Sequence, residues 1–316
     1  MMRVVVTGAA GFLGSHLSQL LVERGDEVVG FDNLVTGRTK NLAEIMDHER
    51  FSFVEHDISE PFFVDGAVDG IVHMASPASP KDFPEIPIKI LKVGGLGTYH
   101  CCGMAEAKGA RLVIASTSEI YGDPLVHPQP ETYFGNVNTL GERGCYDEAK
   151  RFAEAMVVAY NRQHGVDVGI VRTFNTHGPR MRPDDGRVVS NFCVQALSGQ
   201  PLTVYGDGSQ TRSLCYVDDQ VTGYAAMLDA AGTLGPVNIG MPGELSVRRI
   251  AELVLEVTGS KSEIVHLPAK PDDPSRREPI ITRARELLGW EPKVEALDGL
   301  TRTAAWFRAE LAGTGP

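Results

Sequence analysis

The chain has 316 residues, 42% hydrophobic and 22% charged, the composition of a globular protein with room for one large or two small domains. A formal net charge of −11 argues against non-specific nucleic-acid or membrane partners, which call for a basic footprint. It leaves room for an anionic small ligand in a locally basic pocket, and Arg180, Arg182, Arg187, Arg276 and Arg277 are clustered enough to line one.

Met1-Met2-Arg3 runs directly into the strand-like VVVTG rather than into a signal peptide, and no apolar run approaches a membrane span, so a cytoplasmic protein is expected. RVVVTG is predicted as a short buried strand, followed by helical spacing over 15–23. EVVGFD, FSFVEHD and GIVHMAS are the second, third and fourth strands, and a helix is predicted over 88–108. RLVIAS is the fifth strand, a long helix follows over 146–164, and DVGIVRTF is the sixth strand. Such alternation predicts an α/β, Rossmann-like fold: a doubly wound parallel sheet with helices on both faces. After about residue 178 the turn signals GPR, RPDDGR and YGDGSQ crowd in and the helical pieces shorten. The expected division is a first domain over 1–178 and a smaller C-terminal α/β substrate-binding domain over 179–316. A segment near 214–240, with the strand-like PVNIG at 236–240, is expected to return to the first domain. The five cysteines are odd in number and form no C-x-x-C pair, which predicts buried thiols in a reducing compartment and neither a disulfide framework nor a metal site.

The first strand ends in GAAGFLG, which places Gly8, Gly11 and Gly14 in a G-x-x-G-x-x-G run opening a helix. Gly8 permits the tight turn, Gly11 lets the backbone approach a pyrophosphate, and Gly14 lets helix and strand pack closely. The helix N-terminus then offers free N–H groups and a favourable dipole to the phosphates. Asp32 ends the second strand, where a carboxylate accepts bonds from the adenosine ribose and repels a 2′-phosphate, so NAD is expected rather than NADP. Arg38 nearby points the other way. Tyr146 and Lys150 are four apart on a helix and project from one face. An ammonium beside the phenol favours phenolate, so Tyr146 is the candidate base for a sugar hydroxyl, and either Thr117 or Ser118, at the end of the fifth strand, would hold the same oxygen.

The order TGAAGFLG, STSEIYGD, CYDEAKR resembles the extended short-chain dehydrogenase/reductases. With HMASPASP, VHPQPETYFGNVN, RTFNTHGPRMRPDDGRVVSNF, LTVYGDGSQTRSLCYVDD, DDPSRREP and LLGWEP, the chain is similar over nearly its whole length to the UDP-glucuronate decarboxylases, or UDP-xylose synthases. The resemblance implies NAD as a recycled cofactor, a UDP-sugar substrate and a homodimer formed through helices near the catalytic one. It extends the cofactor set to Phe12, Leu13, Asn33, Gly37, Arg38, Asp57, Ile58 and Ala75. It implies Pro77, Lys92, Asn175, Arg187, Val204, Tyr205, Gln210, Arg212 and Arg277 for the substrate. Oxidation of C4 makes the C5 carboxylate part of a β-keto acid, which loses carbon dioxide through an enolate that Tyr146 and Thr117 or Ser118 can stabilise. Glu119 then has two candidate tasks: handling the proton delivered to C5, or crowding the substrate carboxylate with like charge. Arg277 is expected to meet that carboxylate.

Three positions depart from the family pattern. Gly94 stands where an asparagine near the cofactor is usual, inside a helix that two glycines should weaken by roughly a kcal/mol each. His177 is placed close to the site, and Glu278 replaces a lysine. These changes leave two products open, UDP-xylose or an early-released UDP-4-keto-pentose. The alternatives are a UDP-hexuronate 4-epimerase, a 4,6-dehydratase and, from another class, a non-catalytic NAD-sensing module. Ser118-Glu119 and Arg277 speak against the epimerase, the lack of an Asp-Glu pair after the strand against the dehydratase, and intact Tyr146 and Lys150 against the module.

Overall fold

A computed structural model describes residues 1–230, 232, 235–269 and 275–313; Asp272, Asp273 and Pro274 of the DDPSRREP motif lie outside these. The apolar runs form β1 (Arg3–Thr7), β2 (Glu27–Asp32), β3 (Phe51–Glu55), β4 (Gly70–His73), β5 (Arg111–Thr117), β6 (Val168–Thr173) and β7 (Pro236–Ile239). These seven make one parallel sheet in the order β7-β6-β5-β4-β1-β2-β3. All but the edge strand β3, which is largely exposed, are buried on both faces, as a helix-covered parallel sheet demands. The principal helices are α1 (Phe12–Glu23), α2 (Pro87–Lys92), α3 (Thr98–Lys108), α4 (Gly144–His164), α5 (Val188–Leu197), α6 (Val217–Asp229), α7 (Val247–Thr258), α8 (Thr282–Leu288) and α9 (Ala296–Leu311).

The strand order reverses between β1 and β4, and a ligand crevice forms beyond the carboxyl ends of strands at such a switch point. The expected return of 236–240 to the first domain is seen as β7, which pairs with β6. More of the C-terminal half joins it. Tyr224 and Met227 of α6, Ala284 of α8 and Trp290 pack into the core shared with α1 and β1. The Trp290 indole donates to Asp219 O and Thr222 Oγ1, and the Asp219 carboxylate accepts from the N–H groups of Lys293 and Val294. The LLGWEP run is thus a clasp on α6, and no single cut at 178 separates the two bodies.

The second lobe packs α5, α7 and α9 around Phe192, Leu202, Val204, Ile250, Leu300 and Phe307. Each such fully buried side chain contributes roughly 2 kcal/mol. Leu202–Tyr205 and Ile264–Leu267 pair in parallel on this lobe. Helix α7 starts where Ser246 Oγ accepts from Arg249 N and stops at Gly259, at φ +67°.

The helix predicted over 88–108 is three pieces. Between α2 and α3, Val93–Gly97 form a single π-helical turn, the form in which this rare geometry mostly occurs within helices. A Cβ built on Gly94 would lie 2.6 Å from the Ala149 Cβ, so this glycine lets α4 approach. Gly94 therefore serves helix packing.

Candidate active site

The glycine run builds the dinucleotide end of the crevice. Gly8 has φ +75°, and a Cβ there would lie 2.8 Å from the Ala75 backbone across the switch point. A Cβ on Gly14 would collide with the Gly8 carbonyl, as the helix-packing role requires. Gly11 caps α1, whose first residues Phe12 and Leu13 line the crevice. Asp32 accepts from the N–H groups of Ala10 (3.0 Å) and Leu34 (2.9 Å) and lines the same cavity. Burial pushes its carboxyl up, with the backbone donors opposing. Asn33 Nδ2 donates to Asp57 Oδ2 at 3.0 Å, and both, with Ile58 and Ala75, line this end. Two expected cofactor residues stand back from it. Gly37 is pressed against the Asp32 carboxylate, and the Arg38 guanidinium turns away to Glu310.

The end of β5 carries the reacting groups. Thr117 Oγ1 accepts from Glu119 N at 3.2 Å, and its side chain is hydrogen-bonded to Tyr146. Ser118 is also buried and lines the cavity. The Tyr146 ring stacks on Phe83, centroids 5.0 Å apart at 16°. Lys150 Nζ donates to Ala115 O at 2.8 Å and lies 5.8 Å from the Tyr146 ring centroid. Burial pushes the phenol up to about 12 despite the Thr117 bond, and pushes Lys150 down to about 8. The expected phenolate is thus not present in the protein alone: Tyr146 is a phenol until further positive charge arrives.

Glu119 is not a lone negative charge. Arg277 grips it with both Nη atoms, one bond to Oε1 and one to Oε2 (3.1 Å), and Arg143 Nη2 bonds Oε2 as well. Arg277 is 2% exposed. Burial alone would push this carboxyl up, but Arg277 and Arg143 outweigh it and hold it well below the usual range. The trio carries a surplus of one positive charge. The expectation that Glu119 crowds a substrate carboxylate with like charge is therefore corrected: its charge is already neutralised, and firm ionisation makes it a poor proton donor. Asp147, next to Tyr146, is buried with Oδ1 unpartnered, and burial pushes it up to about 7, with Glu119 adding to the rise.

A second cavity of ≈ 530 Å³ adjoins the first, of ≈ 350 Å³, sizes suited to small-molecule ligands. Glu119, Asn175 and Arg187 line both. Asn175 Nδ2 is buried without a partner, as is Ser76 Oγ in the first cavity; such orphans in a cleft fit a polar ligand. Arg187 Nη2 donates to Ala78 O at 2.8 Å. Tyr205, Gln210, Arg212 and Arg277 line the second cavity, and Pro77 and Lys92 the first. The Val204 side chain is in the core of the second lobe and lines neither cavity. His177 is a core residue: Nδ1 pairs with Thr303 Oγ1 at 3.0 Å, burial pushes it down to about 4, and it lines neither cavity. Glu278 fastens loops, accepting from Gly243 N at 2.8 Å and facing His127 Nε2 at 3.4 Å. Its neighbour Glu244 is already held by Thr211 and Arg276.

Arg143, Phe83 and Asp147 were not singled out from the sequence. Arg143 left one signal, a cation at the N-terminus of α4, where the helix dipole disfavours it unless an anion is near.

The model of the NAD dependent epimerase/dehydratase family matches residues 4–240. The chain is 50% identical over 309 residues to UDP-glucuronic acid decarboxylase 1 of Xenopus tropicalis, covering 98% of this chain and 73% of that protein. It is 50% identical over 311 residues to UDP-glucuronic acid decarboxylase 6 of Arabidopsis thaliana, covering 98% and 90%. Among solved structures it resembles UDP-glucuronic acid 4-epimerase from Bacillus cereus in complex with UDP-glucuronic acid and NAD (TM-score 0.88, 26% identity, 98% of this chain and 100% of that one). It also resembles the Thermotoga maritima UDP-glucose 4-epimerase with UDP-glucose (TM-score 0.89, 29%, 98% and 100%).

Proposed function

We propose, for a chain that belongs to the NAD dependent epimerase/dehydratase family and within it to the UDP-glucuronic acid decarboxylases, that it decarboxylates UDP-glucuronate through a UDP-4-keto-hexuronate and releases UDP-xylose. The observation that supports this most is the positive surplus of Arg143 and Arg277 around Glu119. It lies at the junction of the two cavities, beside the Tyr146–Thr117 pair. A UDP-hexuronate 4-epimerase would also place a carboxylate there; the 50% identity to UDP-glucuronic acid decarboxylases, against 26% to the UDP-glucuronic acid 4-epimerase, favours the decarboxylase.

The crevice residues fit a dinucleotide, by the Gly8–Ala75 approach and the Asp32 carboxylate. Bound NAD supplies a hydride acceptor at C4 and the cationic ring that favours Tyr146 phenolate. Tyr146 takes the C4 hydroxyl proton, and Thr117 orients that oxygen. Arg277 pairs with the sugar carboxylate while Arg143 keeps Glu119 neutralised. After carbon dioxide leaves, Tyr146 as phenol and Thr117 donate to the enolate oxygen; a proton from water reaches C5, and return of the hydride to C4 with the Tyr146 proton to its oxygen would complete UDP-xylose. Arg187, Arg212 and Asn175 receive the diphosphate end.

The protein also acts as a homodimer in this reading. Ile88 and Leu91 on α2, Leu96 in the π-turn, Tyr99 on α3 and Phe152 on α4 are exposed apolar side chains on neighbouring elements, and a patch of this kind calls for cover. Sedimentation of the wild type and of Phe152→Glu tests this: a monomeric wild type removes the dimer.

Incubation with UDP-glucuronate and NAD, following product mass and NADH absorbance together, tests the activity. Loss of carbon dioxide with NADH at a trace level is expected. Accumulating NADH would replace UDP-xylose by the 4-keto-pentose, and an unchanged mass with a new isomer would replace the decarboxylase by an epimerase.

A further inference from the structure

The loop after Asp32 carries two cations, Arg38 and Lys40. Cations beside the adenosine ribose are what a 2′-phosphate recruits, so their presence next to a carboxylate that repels such a phosphate needs an explanation. Glu310, on α9 of the second lobe, takes both: Arg38 Nη1 donates to Oε1 at 3.1 Å and Lys40 Nζ to Oε2 at 2.6 Å. The Glu310 side chain is 10% exposed. The backbone of Arg38 is fixed by its N–H bond to Ala10 O in the glycine turn (2.9 Å). The adjoining Gly37 lies so close to Asp32 that a Cβ on it would be 2.7 Å from the carboxylate oxygen. Only the direction of the Arg38 side chain is therefore adjustable. It points to Glu310 although its Nε and Nη2 are then buried without partners. The bond to Glu310 is thus what fixes the side chain's direction.

We propose that Glu310 is a specificity-determining residue for the cofactor: by holding Arg38 and Lys40 it denies a 2′-phosphate its counter-charges and reinforces the preference that Asp32 sets. The proposal rests on the dinucleotide reading of the crevice. Without Glu310 the two cations are unpaired beside the ribose site, and a dianionic 2′-phosphate gains attraction while NAD, which has none, does not.

The test is calorimetric binding of NAD and NADP to the full chain and to Glu310→Gln, independent of turnover. The expected result is NAD affinity unchanged within about twofold and NADP affinity raised about fivefold relative to NAD, the size of one or two partly exposed charge contacts, shrinking as salt is added. The gain should vanish in Arg38→Gln/Lys40→Gln/Glu310→Gln. An unchanged NADP-to-NAD ratio overturns the proposal. So does an equal fall of both affinities, which would make Glu310 only a fastener between lobes. If Glu310→Gln does not fold, Glu310→Asp, with its shorter reach, must shift the ratio in the same direction or the proposal is wrong. Failure of the wild type to bind NAD would instead overturn the cofactor reading itself.

Discussion

Replacing Arg277 by alanine strips the active site of its positive surplus. Arg277 is buried and bonds both oxygens of Glu119, while Arg143 bonds one. Counting these three groups, the local charge falls from +1 to 0. Arg277 meets a carboxylate whose charge is lost as carbon dioxide leaves, so its contribution is to hold that group in line for bond cleavage; losing such positioning costs about 10²-fold, and carbon dioxide release should slow by roughly that much. Breaking a lone buried ion pair costs about 3–5 kcal/mol of stability; here Arg143 still covers Glu119, so the loss should be nearer to ~2 kcal/mol. The assay follows carbon dioxide and NADH separately after mixing with UDP-glucuronate. NAD affinity and C4 oxidation should persist while decarboxylation lags. Arg277→Ala/Glu119→Gln separates the two explanations of a defect. If activity fails only because a carboxylate is left underpaired, neutralising it restores the rate. The role given to Arg277 requires that it does not. An Arg277→Ala enzyme that releases carbon dioxide within about tenfold of wild type would refute the reasoning.

Gly94→Asn should lower stability by about 1–3 kcal/mol through overpacking against Ala149, and adding Ala149→Gly should recover most of it; strictly additive losses in thermal unfolding would mean that the two residues are not coupled. Asp147 is pushed from 3.8 up to about 7 by burial. As pH rises from 3.8 to about 7 the unfolded chain releases this proton and the folded chain keeps it, so stability is lost across that window and stays lost above it. Asp147→Asn removes this penalty. Its stability relative to wild type should climb by on the order of 1–3 kcal/mol between the two pH values, and a flat difference would show that the buried carboxyl is not the cause. Thr117→Val should slow C4 oxidation by about 10- to 100-fold, more than Ser118→Ala does, because the Thr117 side chain is bonded to Tyr146. Equal losses in single-turnover NADH formation would count against that assignment.

Much of the fold and site is written in local sequence. Continuous Val/Ile runs separated by helical spacing specify a parallel sheet, because both of its faces are buried. The glycine run, Asp32 and the i, i+4 spacing of Tyr146 and Lys150 are read from single elements, whose geometry is set by their own residues. Tertiary structure decided what depends on groups far apart in the chain. Arg277 reaches Glu119 across 158 positions, and that contact, together with Arg143, turns an apparent like-charge repeller into a neutralised anchor. Gly94 is a helix-weakening residue by propensity, yet its neighbour Ala149 on α4 makes it a packing requirement. His177 is polar by type but lies in the core against Thr303. Arg38 is next to the ribose site in sequence but belongs, through its side chain, to Glu310 on the other lobe. Periodicity and turn chemistry are local and survive in a string of letters. The charge and accessibility of a side chain are set by whatever the folded chain brings within a few ångströms of it, and only the assembled tertiary structure fixes those neighbours.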